Sequence, residues 1–300
     1  MQDFIQHIIN GISLGSIYAL IALGYTMVYG IMKMINFAHA DVYMVGAFTA
    51  YYVAKWMGLE SSPGLSTLVT LLVTSMIVCS VLGLLIERLA YRPLRKAPKL
   101  NVLITAIGVS LFLEFAGQVI FGADPKVFPD IMNQFVIASF AGLELKSSDV
   151  TVLGVSLIAM VILNFIIQKT KIGRAMRAVS SNASVASMLG VNTDRVISFT
   201  FIVGSSLAAI GSILVGMKYP KIDPLMGMMI GLKAFVAAVL GGIGSIPGAV
   251  VGALIMGLSE EMVVGYLSST YRDALAFGIL IVILIFKPSG LFGKYNVEKV

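Results

Sequence analysis

Apolar runs of about 20 residues, repeated along most of this chain, limit what it can fold into more than any other feature. A run of that length crosses the hydrocarbon core of a bilayer as one α-helix. Composition agrees. Apolar residues make up 58% and charged residues 12% of the 300, against roughly 45–50% and 25% in soluble domains, and mean hydropathy is +0.95. The runs are continuous rather than alternating, which excludes a membrane β-barrel. The expected class is an all-α polytopic membrane protein. No charge run, Pro-rich tract or Gly/Ser linker marks a second, soluble domain, so residues 1–300 read as a single transmembrane domain.

The first run, 4–29, follows Met1-Gln2-Asp3, which lacks the basic segment of a cleavable signal, and it is too long for a signal core. Gly11, Gly15 and Ala19 within it have the small-xxx-small spacing that lets helix backbones approach closely. Further spans are predicted at 36–55, 65–86, 101–121, 151–168, 196–217, 248–264 and 273–286. Pro93 and Pro98 forbid a continuous helix through the basic link ERLAYRPLRKAPK at 87–99. The stretch 226–240 is apolar but too short to span comfortably, and it runs into GGIGSIPGAVVG at 241–252. It reads as a broken or re-entrant, Gly-rich helix near 226–248, a form tolerated in a membrane only where protein or a water-filled cavity surrounds it. About nine spans are expected, within a range of 8–10. GSIYALIALGYTMVYG at 15–30 and GSSLAAIGSILVGM at 204–217 echo each other weakly, as two-fold repeats in transporters do; a chance likeness of Gly- and Ala-rich helices explains this equally well.

Lys and Arg set the expected orientation. The 87–99 link carries Arg88, Arg92, Arg95, Lys96 and Lys99, and the 169–195 link carries Lys169, Lys171, Arg174, Arg177 and Arg195. With Lys33 and the three lysines of the tail, placing these inside accounts for 14 of the 21 basic residues, as the positive-inside rule asks. The 122–150 loop holds only Lys126 and Lys146 among several acids and suits the outer side. The N-terminus is then outside and the C-terminus cytoplasmic, provided that 226–243 crosses fully. The net charge of +6 is this loop bias and no sign of nucleic-acid binding.

The chain has no G-x-x-x-x-G-K-[ST], so it carries no P-loop for ATP. It has no G-x-S-x-G elbow. Two histidines and one cysteine, far apart, make no metal site. Cys79 lies inside an apolar run as a packed thiol. An enzyme, and a bound cofactor or metal, find no support.

Polar groups inside spans are the candidates for a solute route. Asn36, His39 and Asp41 open the second span. One reading makes them a solvated helix end, with Asn36 as N-cap and Asp41 favoured by the helix dipole. The other starts the helix below the membrane surface and lets it line a polar passage. Asn36, His39 and Tyr43 share one face by their spacing, while Asp41 points elsewhere. Glu114 lies in mid-span, where an ionised carboxylate costs roughly 3 kcal/mol unless paired or facing water; a structural pairing is the simpler expectation. Lys233 is expected to snorkel outward or to line the passage, and Glu260 and Glu261 to reach the interface.

Residues 169–195, KTKIGRAMRAVSSNASVASMLGVNTDR, form the longest polar segment on the expected cytoplasmic side. Its middle has the composition of a short helix, and soluble machinery can reach it.

GSIYALIALGYTMVYGIMKMINFAHADVYMVGAF (15–48), ERLAYRPLR (87–95), GRAMRA (173–178), ASMLGVNTDRVI (186–197), KAFVAAVLGGIGSIPGA (233–249) and the terminal VEKV (297–300) together resemble the permease subunits of bacterial branched-chain amino acid ABC transporters, of the LivH type. The resemblance covers nearly the whole chain. It departs at Ala40-Asp41, where the family usually has Gly-Glu, and the 122–150 loop has no clear counterpart.

The resemblance implies a bacterial inner-membrane permease that works with a LivM-type sister permease, two cytoplasmic ABC ATPases and a periplasmic binding protein delivering leucine, isoleucine or valine. It also implies that 181–190 is the coupling helix docking on an ATPase, with Gly173, Arg174, Asn182, Ala183, Ala186, Ser187, Leu189 and Gly190 as coupling residues. The small Ala183, Ala186 and Ser187 suit a close helix-in-groove fit, and Gly190 ends the helix. The translocation path would run past Asn36, His39, Asp41, Tyr43 and Glu114, and past Gly241, Gly242, Gly244 and Pro247 of the bend. The alternatives are a permease of the same family for urea, amides or other amino acids, and a self-sufficient carrier or channel in which 169–195 is a mere connector.

Overall fold

The computed structural model describes residues 2–95, 97–140 and 143–293. Long helices dominate: α1 (Gln2–Met32), α2 (His39–Trp56), α3 (Leu65–Ile86), α4 (Lys99–Phe121), α5 (Ser147–Lys169), α8 (Thr193–Lys218), α9 (Met226–Gly241), α10 (Ile246–Tyr266) and α11 (Arg272–Phe286). Two short helices, α6 (Lys171–Ser181) and α7 (Ala183–Met188), occupy the polar 169–195 segment. Among the described residues, seven helices, α1, α3, α4, α5, α8, α10 and α11 with the turn before it, are long and apolar enough to cross a membrane. The protein is therefore an all-α polytopic membrane protein, as its sequence predicts. The expected span boundaries fall within a few residues of the helix ends, the usual uncertainty of such edges.

The helix ends gather on two faces. On the first, Tyr52 near the end of α2 donates to the Phe121 carbonyl at 3.4 Å, and Lys218 of α8 meets Asp149 of α5 at 3.0 Å. There, too, β1 (Lys126–Val127) pairs antiparallel with β4 (Lys221–Ile222). The hairpin of β2 (Val136–Phe140) and β3 (Leu143–Lys146) stands on this face, and the Glu144 N–H donates to Gln6 of α1 at 3.1 Å. On the second face, Ser180 of α6 donates to the Gly30 carbonyl at 2.7 Å, and Arg92 meets Asp194 at 2.5 Å. The long helices thus alternate in direction along the chain. Most of the basic links lie on the second face; the VEKV ending lies outside the described residues, as do Lys96 and the last two lysines.

α1 and α8 form the centre, each largely buried. Small residues make this possible. Gly24 of α1 lies against Gly204 of α8, and Gly11 and Gly15 let α1 meet the backbone of α10 at Leu258 and Leu254. In lipid there is no hydrophobic drive between helices, so such close packing is a main source of association. The outer faces of α4, α5 and α11 expose Phe112, Phe115, Val119, Phe165 and Phe286, the surface expected against lipid or a neighbouring subunit.

The Gly-rich segment resolves as a helical hairpin. α9 ends at Gly241, and Gly242 and Gly244 adopt φ of 103° and 96°, a region glycine enters without steric cost. Ser245 then caps α10, accepting from the Gly248 N–H at 3.2 Å, with Pro247 in its first turn. A side chain at Gly241 or Gly248 would run into the other's backbone. β4 on the first face passes through a turn at 224–225 into α9, whose far end lies on the second face, where Leu291 donates to the Leu240 carbonyl. The segment therefore runs between the two faces rather than turning back.

Candidate translocation site

The polar start of α2 is buried, not solvated. Asn36 lies outside the helix and does not cap it; the N-cap position is Ala38, with no side-chain bond. Instead Asn36 Oδ1 accepts from the Tyr91 hydroxyl at 2.8 Å. Tyr91 ends a π-helical turn, Glu87–Tyr91, in which the Arg92 N–H donates to the Glu87 carbonyl at 2.7 Å. That wide turn continues α3 where Pro93 stops a regular helix. It carries Glu87 into full burial against Arg95, with Ser198 donating to it at 2.7 Å. Arg95 and Arg92 also hold Asp194, so the basic link is pinned to α8.

His39 packs its imidazole edge-on against Tyr25 at 4.7 Å and against Gly24, where any side chain would strike the ring. Its Nε2 and the Tyr43 hydroxyl have no hydrogen-bond partner among the described residues. Asp41, 1% exposed, turns away from both and accepts from Ser110 of α4 at 2.5 Å.

Ser110 lies one helical turn from Glu114, and both line a cleft of about 240 Å³ between α4 and α9. Tyr25, Phe37 and Ala40 form its floor, and Ile107, Leu111, Met228, Leu232 and Phe235 its apolar walls. The size falls just below the range of drug-sized pockets, roughly 300–1,000 Å³. Two α9 glycines shape it: Gly227 and Gly231 come so near Ala40 that a side chain at either would collide with it. Glu114, 9% exposed, has no ion-pair partner among the described residues, so the expected structural pairing is not found and the carboxylate faces the cleft. Through Ser110 the structure thus links Asp41 to the cleft that Glu114 lines, while Asn36, His39 and Tyr43 lie outside that lining.

The bend lies apart from this cleft. Gly241 and Gly242 are packing contacts, Gly242 against Gly293. Gly244 and Pro247 border a separate cleft of about 530 Å³ on the second face, with Thr26, Arg177 and Ser180. Lys233 neither snorkels nor lines the first cleft. It is buried between Glu260 at 3.0 Å and Asp273 at 2.7 Å. Glu260, 1% exposed, also meets Arg272 at 2.9 Å and accepts from Tyr18 at 2.8 Å. Glu261, close to Arg272 and His7, is likewise buried. Lys233, expected to snorkel or line the passage, and Glu260 and Glu261, expected at the interface, thus tie α1, α9, α10 and α11 into one ionic network with the partly exposed Arg272 and Asp273, where paired charges escape the full cost of burial.

In the 169–195 segment, Thr170 caps α6, accepting from Gly173 at 3.1 Å, and Asn182 caps α7, accepting from Val185 at 3.1 Å. Gly173 is pressed on the Ile166 and Ile167 carbonyls, so it seats α6 on α5 and presents no surface. Arg174 is exposed, as are Ala183 and Ser187. Ala186 is buried and faces inward. The outward apolar face of α7 is Val185, Met188 and Leu189, the last two 84% and 79% exposed; of these only Leu189 is anticipated. Their 3–4 spacing within a polar segment was the available signal. Gly190 ends α7 at φ 84°, with the Val191 N–H donating to the Ala186 carbonyl at 3.0 Å, a left-handed cap.

Comparison with known proteins adds a consistent picture. A family model described as "Branched-chain amino acid transport system / permease component" matches residues 7–284. The chain is 43% identical to the high-affinity branched-chain amino acid transport system permease protein LivH of Salmonella typhimurium, across 99% of this chain and 98% of that protein. It is 43% identical to the corresponding permease protein BraD of Pseudomonas aeruginosa, across 100% and 99%. A probable branched-chain amino acid transport permease protein LivH of Methanocaldococcus jannaschii is 29% identical across 95% and 89%.

Proposed function

Because the chain belongs to the branched-chain amino acid transport permease family, we propose that it is the membrane-spanning subunit of an ABC importer that moves leucine, isoleucine or valine across the bacterial inner membrane. The observation that carries this reading is the cleft between α4 and α9. It sits midway along the helices, is walled by aliphatic and aromatic side chains, and holds a few buried polar groups. That is the chemistry an aliphatic amino acid asks of a passage. Energy comes from elsewhere, since the chain has no nucleotide-binding motif. Two cytoplasmic ATPases would supply it, a LivM-type sister permease would complete the path, and a periplasmic binding protein would deliver the solute.

In this reading residues 1–300 form one domain and all nine long helices cross, with the N-terminus outside and the C-terminus cytoplasmic. α7 is the coupling helix. Its Val185, Met188 and Leu189 face seats in a groove of the ATPase, with Ala183 and Ser187 beside it, and Asn182 and Gly190 fix its two ends. ATP-driven closure of the ATPase dimer pulls on α6 and α7. α6 is bonded to α1 through Ser180 and Gly30, and α7 leads directly into α8, so the pull reaches the two central helices. The cleft then opens alternately to either side.

The test is purification of the tagged protein from its native membrane in mild detergent, then reconstitution of what accompanies it. A second permease and ATPases, with leucine uptake that requires ATP and a binding protein, are the expected result. A homo-oligomer that moves solute without ATP would refute the importer reading. Uptake of urea or amides in place of leucine would change the substrate and keep the machine.

A further inference from the structure

We infer that Asp41 and Glu114 form the seat for the solute's ammonium group, while the apolar wall of the same cleft takes its side chain. This rests on the cleft being the solute path. Four observations lead to it. First, Glu114 is nine-tenths buried, lines the cleft and meets no cation among the described residues. Second, Tyr25 is buried, lines the same cleft, and its hydroxyl bonds to no described residue. Third, Asp41 reaches the site through Ser110, which stands one turn before Glu114 on α4. Fourth, the α9 cation Lys233 is engaged elsewhere, by Glu260 and Asp273.

Two carboxylates at membrane depth without a cation invite one. An ammonium group donates three hydrogen bonds and accepts none. Acceptors of the right number stand at this site: Glu114 and the Tyr25 oxygen in the cleft lining, and Asp41 just behind Ser110. A bare divalent metal would ask for six or more oxygen ligands, and the walls of Ile107, Leu111, Leu232 and Phe235 provide none. Those walls suit an aliphatic chain attached to the ammonium. The cleft therefore reads the amino end and side chain of the solute, and the solute's carboxylate lies toward the open side.

The test measures binding of three probes to the purified permease complex: leucine, isopentylamine (ammonium and chain, no carboxylate) and 4-methylpentanoate (chain and carboxylate, no ammonium). Leucine and isopentylamine are expected to bind at least about ten-fold tighter than the acid. Asp41→Asn and Glu114→Gln are expected to erase that preference while assembly and the melting profile persist. Ser110→Ala should weaken it less. Equal binding of amine and acid by the wild type overturns the inference, as does an unchanged preference in both carboxamide variants. Should either variant fail to assemble, Tyr25→Phe, which removes only a hydroxyl, is read instead, and an unchanged preference there counts against the inference. A wild type that pumps leucine but binds amine and acid alike would sink this inference alone. A complex that prefers the amine but pumps no leucine would sink the importer reading alone.

Discussion

Single atoms decide much at the start of α2. Gly24 leaves the space into which His39 fits, and Gly204 closes the opposite side. Gly24→Val is expected to destabilise the protein by about 1–3 kcal/mol through overpacking, read as a lowered melting temperature of the purified complex; an unchanged melt would mean that the ring moves freely. Glu87 offers a sharper case. It is fully buried and held by Arg95 and Ser198. Arg95→Ala leaves a buried charge unpaired, which costs about 3–5 kcal/mol, whereas Glu87→Gln keeps a hydrogen-bond acceptor for Ser198 and should cost less. Thermal unfolding of the two variants side by side checks that order.

At the scale of elements, α7 and the α9–α10 hairpin are the parts whose geometry makes claims. α7 is only six residues long, too short to be stable by itself, so its Asn182 and Gly190 caps and its buried Ala186 hold it. Gly190→Val forces a β-branched residue into the left-handed region, although nothing crowds that position. Uptake is expected to fall with the permease still assembled in the membrane; normal uptake would remove α7 from the coupling. Replacing Met188 and Leu189 by Asp should reduce co-purifying ATPase at least about ten-fold, since fully desolvated apolar anchors carry most interface energy. Retained ATPase would place the docking face elsewhere. In the hairpin, Gly248→Leu drives a side chain into Gly241 and should prevent assembly.

The whole molecule makes a topological claim that one cysteine makes easy to check. Cys79 is the only cysteine and is buried, so the native protein is expected to resist a membrane-impermeant maleimide. In a Cys79→Ala background, a cysteine placed at Asp124 should label from outside in intact cells, and one at Ser184 only after the cells are opened. The reverse pattern would invert the orientation, and labelling of both from one side would break the alternation of helices.

Chain chemistry alone determined the class, the helix positions and the basic links, because lipid requires every backbone polar group to be satisfied within a helix and apolar runs therefore read directly as elements. The Gly190 stop and the break after Gly241 were also legible, since both rest on a local backbone conformation that favours glycine. Partnerships between distant residues were not. Lys233 looked free until α9 packed beside α10 and α11. Glu114 looked paired until its surroundings proved to be a cleft. Asn36 had the look of a cap until the π turn brought Tyr91 to it. The spacing rule set Asp41 apart from Asn36, His39 and Tyr43, yet only the packing of α4 against α2 gave that separate direction its partner, Ser110 at the edge of the cleft. Charges and polar groups in a membrane are decided by what lies across from them, and that is a property of helix packing, which no local pattern encodes.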